Sequence, residues 1–124
     1  MPLVFYVDDS RDDLFYADYI SKKQRTNIDL QCFPDTRSAL RALEDLQAAA
    51  GTLPDALVVD LYMPLDSGLE LISQLRADQR FSGIRLGVCT GSDAVEDRER
   101  AMAAGADFYT GKPIDLGAIV NGAQ

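Results

Sequence analysis

The stretch Ala56-Leu57-Val58-Val59-Asp60 decides how this chain reads. Four apolar residues in a row, closed by a carboxylate, fit a short strand covered on both faces, as strands inside a parallel sheet are. Further strand candidates lie on either side of it: Leu3 to Val7, Ile28 to Phe33, Ile84 to Cys89 and Asp107 to Tyr109. Helical spacing fills the gaps. Ser10 and Asp12 offer caps for a helix to about Arg25, with Phe15/Tyr19 and Tyr16/Ile20 four apart. Asp35 or Thr36 caps a second, where Ala39, Leu43, Leu46 and Ala50 mark one face and Gly51 is the expected stop. Leu69, Ile72 and Leu75 mark a third. A fourth starts near Ser92 or Asp93, presents Val95 and Met102 and stops at Gly105. A short last helix, Asp115 to Ala123, carries Leu116, Ile119 and Val120.

Strand and helix alternate five times, which implies an α/β fold: a parallel sheet, right-handed crossovers and helices on both faces. The 124 residues make one domain, 1–124, without linker, repeat or low-complexity stretch. Acidic residues outnumber basic ones, 20 to 12, for a net charge of -8, and such a surface repels phosphate backbones. No nucleic-acid partner is expected of this domain. No apolar run approaches the roughly 18 residues of a membrane span, and the N-terminus lacks a basic, signal-like start, so a cytoplasmic protein is expected. Cys32 and Cys89 sit in apolar runs and read as small buried hydrophobes. Histidine is absent, which removes His-based triads, His-ligated zinc and an internal phosphohistidine.

In an open parallel sheet, ligands bind beyond the carboxyl ends of the strands. The residues there are Asp8-Asp9, Asp60, Thr90-Gly91 and, after the fifth strand, Lys112-Pro113. If the strand order is the flavodoxin-like 2-1-3-4-5, these ends converge. Three carboxylates about 4 Å apart repel by roughly 4 kcal/mol per pair at an effective dielectric near 20, so a counter-ion is required. A hard divalent cation such as Mg²⁺ suits carboxylate oxygens, and Lys112 adds a point charge suited to a phosphoryl oxygen. Thr90 offers a hydroxyl, and Gly91 leaves space beside the backbone.

Four segments together resemble the receiver domains of two-component response regulators, similar to the chemotaxis response regulator. They are Asp8-Asp9, the run from Asp60 to Gly68, Thr90-Gly91, and the run from Gly105 to Lys112-Pro113. The resemblance covers essentially the whole chain. It implies a three-layer, flavodoxin-like sandwich of five strands and five helices. It also implies Mg²⁺-dependent phosphoryl transfer to Asp60 from the phosphohistidine of a histidine kinase or phosphotransfer protein, switching conformation and the binding of a downstream protein. By the same resemblance Asp9, Asp60 and the Tyr62 backbone carbonyl would ligate Mg²⁺, with Asp8 acting through water. Lys112 and Thr90 would contact phosphoryl oxygens, Tyr109 would be the switch aromatic that follows Thr90, and Lys112-Pro113 would be cis. Such a domain assists its own phosphorylation and dephosphorylation but turns over no separate substrate.

Some positions depart from the family pattern. Leu65 stands where glycine is common, and Ser67 replaces the usual aspartate but can still cap the third helix. Gly87 falls in a strand that usually holds branched residues and is expected to loosen it. Tyr62 is bulky near the path of hydrolytic water and is expected to slow phosphoryl loss. The short last helix argues against dimerising through that face, so a monomer or weak dimer is expected, working as a stand-alone protein.

Plainer readings exist. Asp8-Asp9 could answer a helix dipole, Asp60 could be a turn residue, Thr90 could simply end a strand, Tyr109 could be packing and Lys112 a solvated loop charge. Their register across separate strand ends favours a shared site. The run Glu96 to Arg100 reads as a solvated helix face. Among other functions, a haloacid dehalogenase-like Mg²⁺-dependent phosphatase would need Asp-x-Asp after strand one, where this chain has adjacent aspartates. A flavin module would need a Ser/Thr/Gly-rich phosphate loop there. A receiver-like pseudo-domain would lack a pocket residue, and none is missing.

Overall fold

A computed structural model describes residues 2–23 and 27–120. Strands β1 (Leu3–Val7), β2 (Asp29–Phe33), β3 (Ala56–Val59), β4 (Arg85–Thr90) and β5 (Phe108–Gly111) alternate with helices α1 (Arg11–Lys23), α2 (Thr36–Ala48), α3 (Gly68–Arg76), α4 (Val95–Ala104) and α5 (Leu116–Val120). The strands form one parallel sheet in the order β2-β1-β3-β4-β5, as expected.

Alternate side chains of each strand feed opposite layers. Phe5, Val7, Leu57, Val59, Leu86 and Val88 meet Leu43 of α2, Leu71, Ile72 and Leu75 of α3, and Ala101 of α4. Val4, Tyr6, Val58 and Cys89 meet Ala17 and Ile20 of α1 and Leu116 and Ile119 of α5. β3 is buried along its whole length, which is why it carries no polar residue until Asp60.

Local chemistry sets most helix ends. The Ser10 hydroxyl accepts the Asp13 amide at the start of α1, the Asp35 carboxylate accepts the Ser38 amide at α2, and the Ser67 hydroxyl accepts the Glu70 amide at α3. Ser67 thus caps as expected. Gly105 closes α4 with a left-handed φ of 113°.

Several expectations need correcting. α2 ends at Ala48, and the left-handed residue is Ala50 (φ 55°), while the Gly51 amide bonds back to the Leu46 carbonyl. α4 starts at Val95, two residues past Asp93, behind Ala94, which supplies no side-chain cap. Val95 and Met102 are exposed, and the inward residues of α4 are Asp97 and Ala101. On α1, Ile20 is buried as its spacing suggests, but Phe15 is 75% exposed and Tyr16 and Tyr19 also face solvent. Gly87 does not loosen β4. A Cβ there would lie 2.1 Å from Phe108 Cζ, so the missing side chain is the space the Phe108 ring fills. The Arg85 guanidinium lies over the same ring at 4.9 Å. Residues 24–25 at the expected end of α1 and 121–123 of the expected last helix lie outside the described residues.

Candidate functional site

β1 and β3 are neighbours with Val7 opposite Val59, so the next residues, Asp8 and Asp60, leave the sheet side by side. Backbone bonds hold both turns: the Asp60 amide donates to the Val7 carbonyl at 2.9 Å, and the Asp8 amide to the Phe33 carbonyl at 3.0 Å. Gly68 lets the start of α3 close against this turn, since a Cβ there would sit 2.7 Å from the Asp60 carbonyl oxygen. β4 and β5 pair Thr90 with Gly111, and the Lys112 amide donates to the Thr90 carbonyl at 2.9 Å. Lys112 thereby faces the aspartates from the other half of the sheet, and the Lys112-Pro113 bond that follows is cis, as expected.

The Lys112 ammonium lies 3.0 Å from Asp8 Oδ2 and 3.4 Å from Asp60 Oδ2. Asp8 is fully buried and Asp60 nearly so. Burial, and then the charge of Asp8, push the Asp60 carboxyl above the usual carboxylate range, with Lys112 pulling the other way. For Lys112, burial would depress the ammonium, but Asp13, Asp8 and Asp60 outweigh it and raise its pKa. Asp9 is exposed and completes the cluster: Asp8, Asp9 and Asp60 each place a carboxylate oxygen within 4.8 Å of the others. Hard oxygen donors converging at that spacing, one open to water, fit a divalent cation with retained waters.

Thr90 is buried, and its Oγ1 accepts the Ser92 amide at 3.4 Å. Tyr109 packs partly against the core and donates its hydroxyl to the Ser92 carbonyl at 2.9 Å. Tyr62 lies next to Asp60, its amide 3.5 Å from Asp60 Oδ1. Cys89 is buried in the core and Cys32 half-buried; burial pushes their thiols up to about 12 and about 11.

Three participants escaped the sequence reading. Asp13, on the first turn of α1, takes the Lys112 ammonium at 2.5 Å, and this bond holds its carboxyl below the usual range. Its one sequence signal was its place in a dense acidic run. Tyr6, on β1 two residues before Asp8, donates its hydroxyl to Asp8 Oδ2 at 2.7 Å. Burial and then that bond raise the phenol's pKa. Asp97 belongs to the run read as a solvated face, yet it is buried beneath Tyr62, Ser92 and Arg100, which all donate to it.

Comparison with known proteins agrees with this fold. The family model for the response regulator receiver domain matches residues 4–124. The transcriptional regulatory protein PrrA of Mycobacterium leprae is 32% identical over 119 residues, which are 96% of this chain and 47% of PrrA. The chain therefore spans about half the length of that relative. PrrA's name gives no support to the expectation that nucleic acid plays no part. A two-component response regulator from Legionella pneumophila superposes with a TM-score of 0.81 at 21% identity, covering 98% of this chain and 94% of that one. A response regulator from Burkholderia pseudomallei, solved with a phosphorylated aspartic acid, calcium ion and citrate, gives 0.74 at 24% identity, covering 100% and 67%. None of this supports the phosphatase alternative. The chain belongs to the receiver domains of two-component response regulators.

Proposed function

We propose that Asp60 is the phosphoacceptor. Its carboxylate oxygen attacks the phosphorus of a phosphohistidine on a histidine kinase or phosphotransfer protein, the P–N bond breaks, and the imidazole departs with the bonding pair. The 124 residues contain no histidine, so the donor imidazole lies outside this domain. One observation carries the reading: a single ammonium, that of Lys112, bridges Asp8 and Asp60 at the end of a parallel sheet while Asp9 completes a three-carboxylate cluster.

Lys112 would exchange its contact with Asp60 for a phosphoryl oxygen, and Thr90 would donate its hydroxyl to another. Tyr109 would follow Thr90 through Ser92, which bonds both. Asp9, Asp60 and the Tyr62 carbonyl would hold Mg²⁺, with Asp8 reaching it through water. That cation would neutralise charge on the phosphoryl oxygens. The whole chain, 1–124, acts as one cytoplasmic receiver domain, a monomer or weak dimer, that promotes its own phosphorylation and dephosphorylation and turns over no other substrate. Among the described residues no helix is long and apolar enough to cross a membrane, which is compatible with that location.

Intact mass spectrometry after incubation with acetyl phosphate and Mg²⁺ tests this. Wild type should gain one phosphoryl mass and Asp60→Asn none. Equal labelling of both, or of neither, would reject the assignment.

A further inference from the structure

The loop that leads from Asp60 to α3 is pinned on two sides. Toward α2, the Asp66 carboxylate accepts the Thr36 amide at 2.7 Å and the Thr36 hydroxyl at 2.6 Å. Toward α4, the Tyr62 hydroxyl donates to Asp97 Oδ2. Asp97 is only 6% exposed although it lies on the first turn of α4, and the Ser92 hydroxyl donates to the same oxygen at 2.5 Å. Arg100 Nη1 donates to the other oxygen at 3.2 Å. The Tyr62 ring, by contrast, is 56% exposed. A large surface aromatic whose backbone amide touches the acceptor carboxylate is thus held at its far end by a buried charge on another helix. Without that bond, an exposed ring would sample several rotamers.

We infer that Asp97 is a positioning residue for the acceptor site: by holding the Tyr62 side chain it fixes the loop whose amide touches Asp60 and slows hydrolysis of the phosphoryl group there. In that hydrolysis the oxygen of water attacks phosphorus, the P–O bond to Asp60 breaks, and the carboxylate leaves with the bonding pair while the water proton passes to solvent. The inference rests on the reading of Asp60 as phosphoacceptor. It differs from shielding by ring size alone, because the bond between Tyr62 and Asp97, rather than bulk, does the holding.

The test is the decay of the phosphorylated full chain after desalting away acetyl phosphate, followed by intact mass. Tyr62→Phe keeps the ring and deletes the bond; it should melt like wild type and lose phosphoryl roughly threefold faster or more. Asp97→Ala should do the same, and the double variant should be no faster than the faster single, as for two ends of one interaction. Asp97→Asn, whose side-chain oxygen still accepts the phenol hydrogen, should stay nearer wild type than Asp97→Ala. Wild-type decay in Tyr62→Phe, or multiplying effects in the double variant, would overturn the tether; if Asp97→Ala fails to fold, Tyr62→Phe and Asp97→Asn decide. Wild type that takes up no phosphoryl would reject the phosphoacceptor reading and this inference with it, whereas labelled variants with unchanged decay reject the inference alone.

Discussion

Replacing Lys112 with methionine keeps an unbranched apolar stem and deletes one charge. Asp8, with no exposure, and Asp60, nearly buried, would then face each other without their shared cation. At 3.0 Å and 3.4 Å each attraction amounts to about 5 kcal/mol at an effective dielectric near 20. Desolvating the three groups offsets much of that, and removing one partner of a buried pair typically costs about 3–5 kcal/mol. Asp8 keeps the Tyr6 hydroxyl and the Ser10 amide, so the low end applies, about 3 kcal/mol. For a chain of this length that is a fall of about 12 °C in Tm in EDTA at neutral pH. The pH dependence has a definite sign. Asp60 already titrates above its unfolded value, and without Lys112 it would do so further. A carboxyl raised by folding weakens the fold above its unfolded pKa, and the penalty fades as acid protonates it. The gap between variant and wild type should therefore narrow from pH 7 to about pH 4.5, and millimolar Mg²⁺ should recover part of it at pH 7. A variant melting within about 2 °C of wild type at pH 7, or a gap that does not change with pH, would refute the argument.

The same contacts have other consequences. Asp60→Asn removes the repulsion with Asp8 and should raise Tm in EDTA, read by thermal melting; a lower Tm would mean that Lys112 more than balances the pair. Gly87→Ala places a methyl 2.1 Å from Phe108 Cζ and should cost about 1–3 kcal/mol by overpacking, with Phe108→Leu in the same chain restoring part of it in denaturant unfolding. For Asp66, burial pushes the carboxyl up, but the bonds from Thr36 and Ser67 outweigh it and hold it below the usual range. Its contribution is therefore present above the unfolded pKa and lost as pH falls, so Asp66→Asn should cost about 1 kcal/mol at pH 7, discounted for partial exposure, and almost nothing near pH 2.

How much of the site could be read beforehand depended on the kind of contact. Asp8, Asp9, Asp60 and Lys112 follow strands and Thr90 ends one, so alternation and sheet order alone carry them to one end of the molecule. Asp13 and Asp97 sit on helices amid other charged residues, where spacing does not tell a buried carboxylate from a solvated one. Their partners lie 99 and 35 residues away, at Lys112 and Tyr62. The aromatic pairs of α1 misled for a related reason: four-residue spacing marks one face of a helix but not which face meets the sheet, and the smaller Ala17 and Ile20 take the inside.

What the amino-acid order by itself determined was the succession of buried strands and amphipathic helices, and hence the end of the sheet where the carboxylates, hydroxyl and ammonium gather. Those follow from local periodicity and from the handedness of βα crossovers, which need no knowledge of distant neighbours. Only the tertiary structure decided which carboxylates share Lys112, that the Phe108 ring fills the place of a side chain at Gly87, and that Tyr62 is tied to α4. These depend on the packing of side chains from separate elements to within a few tenths of an ångström, and one-dimensional spacing does not encode that.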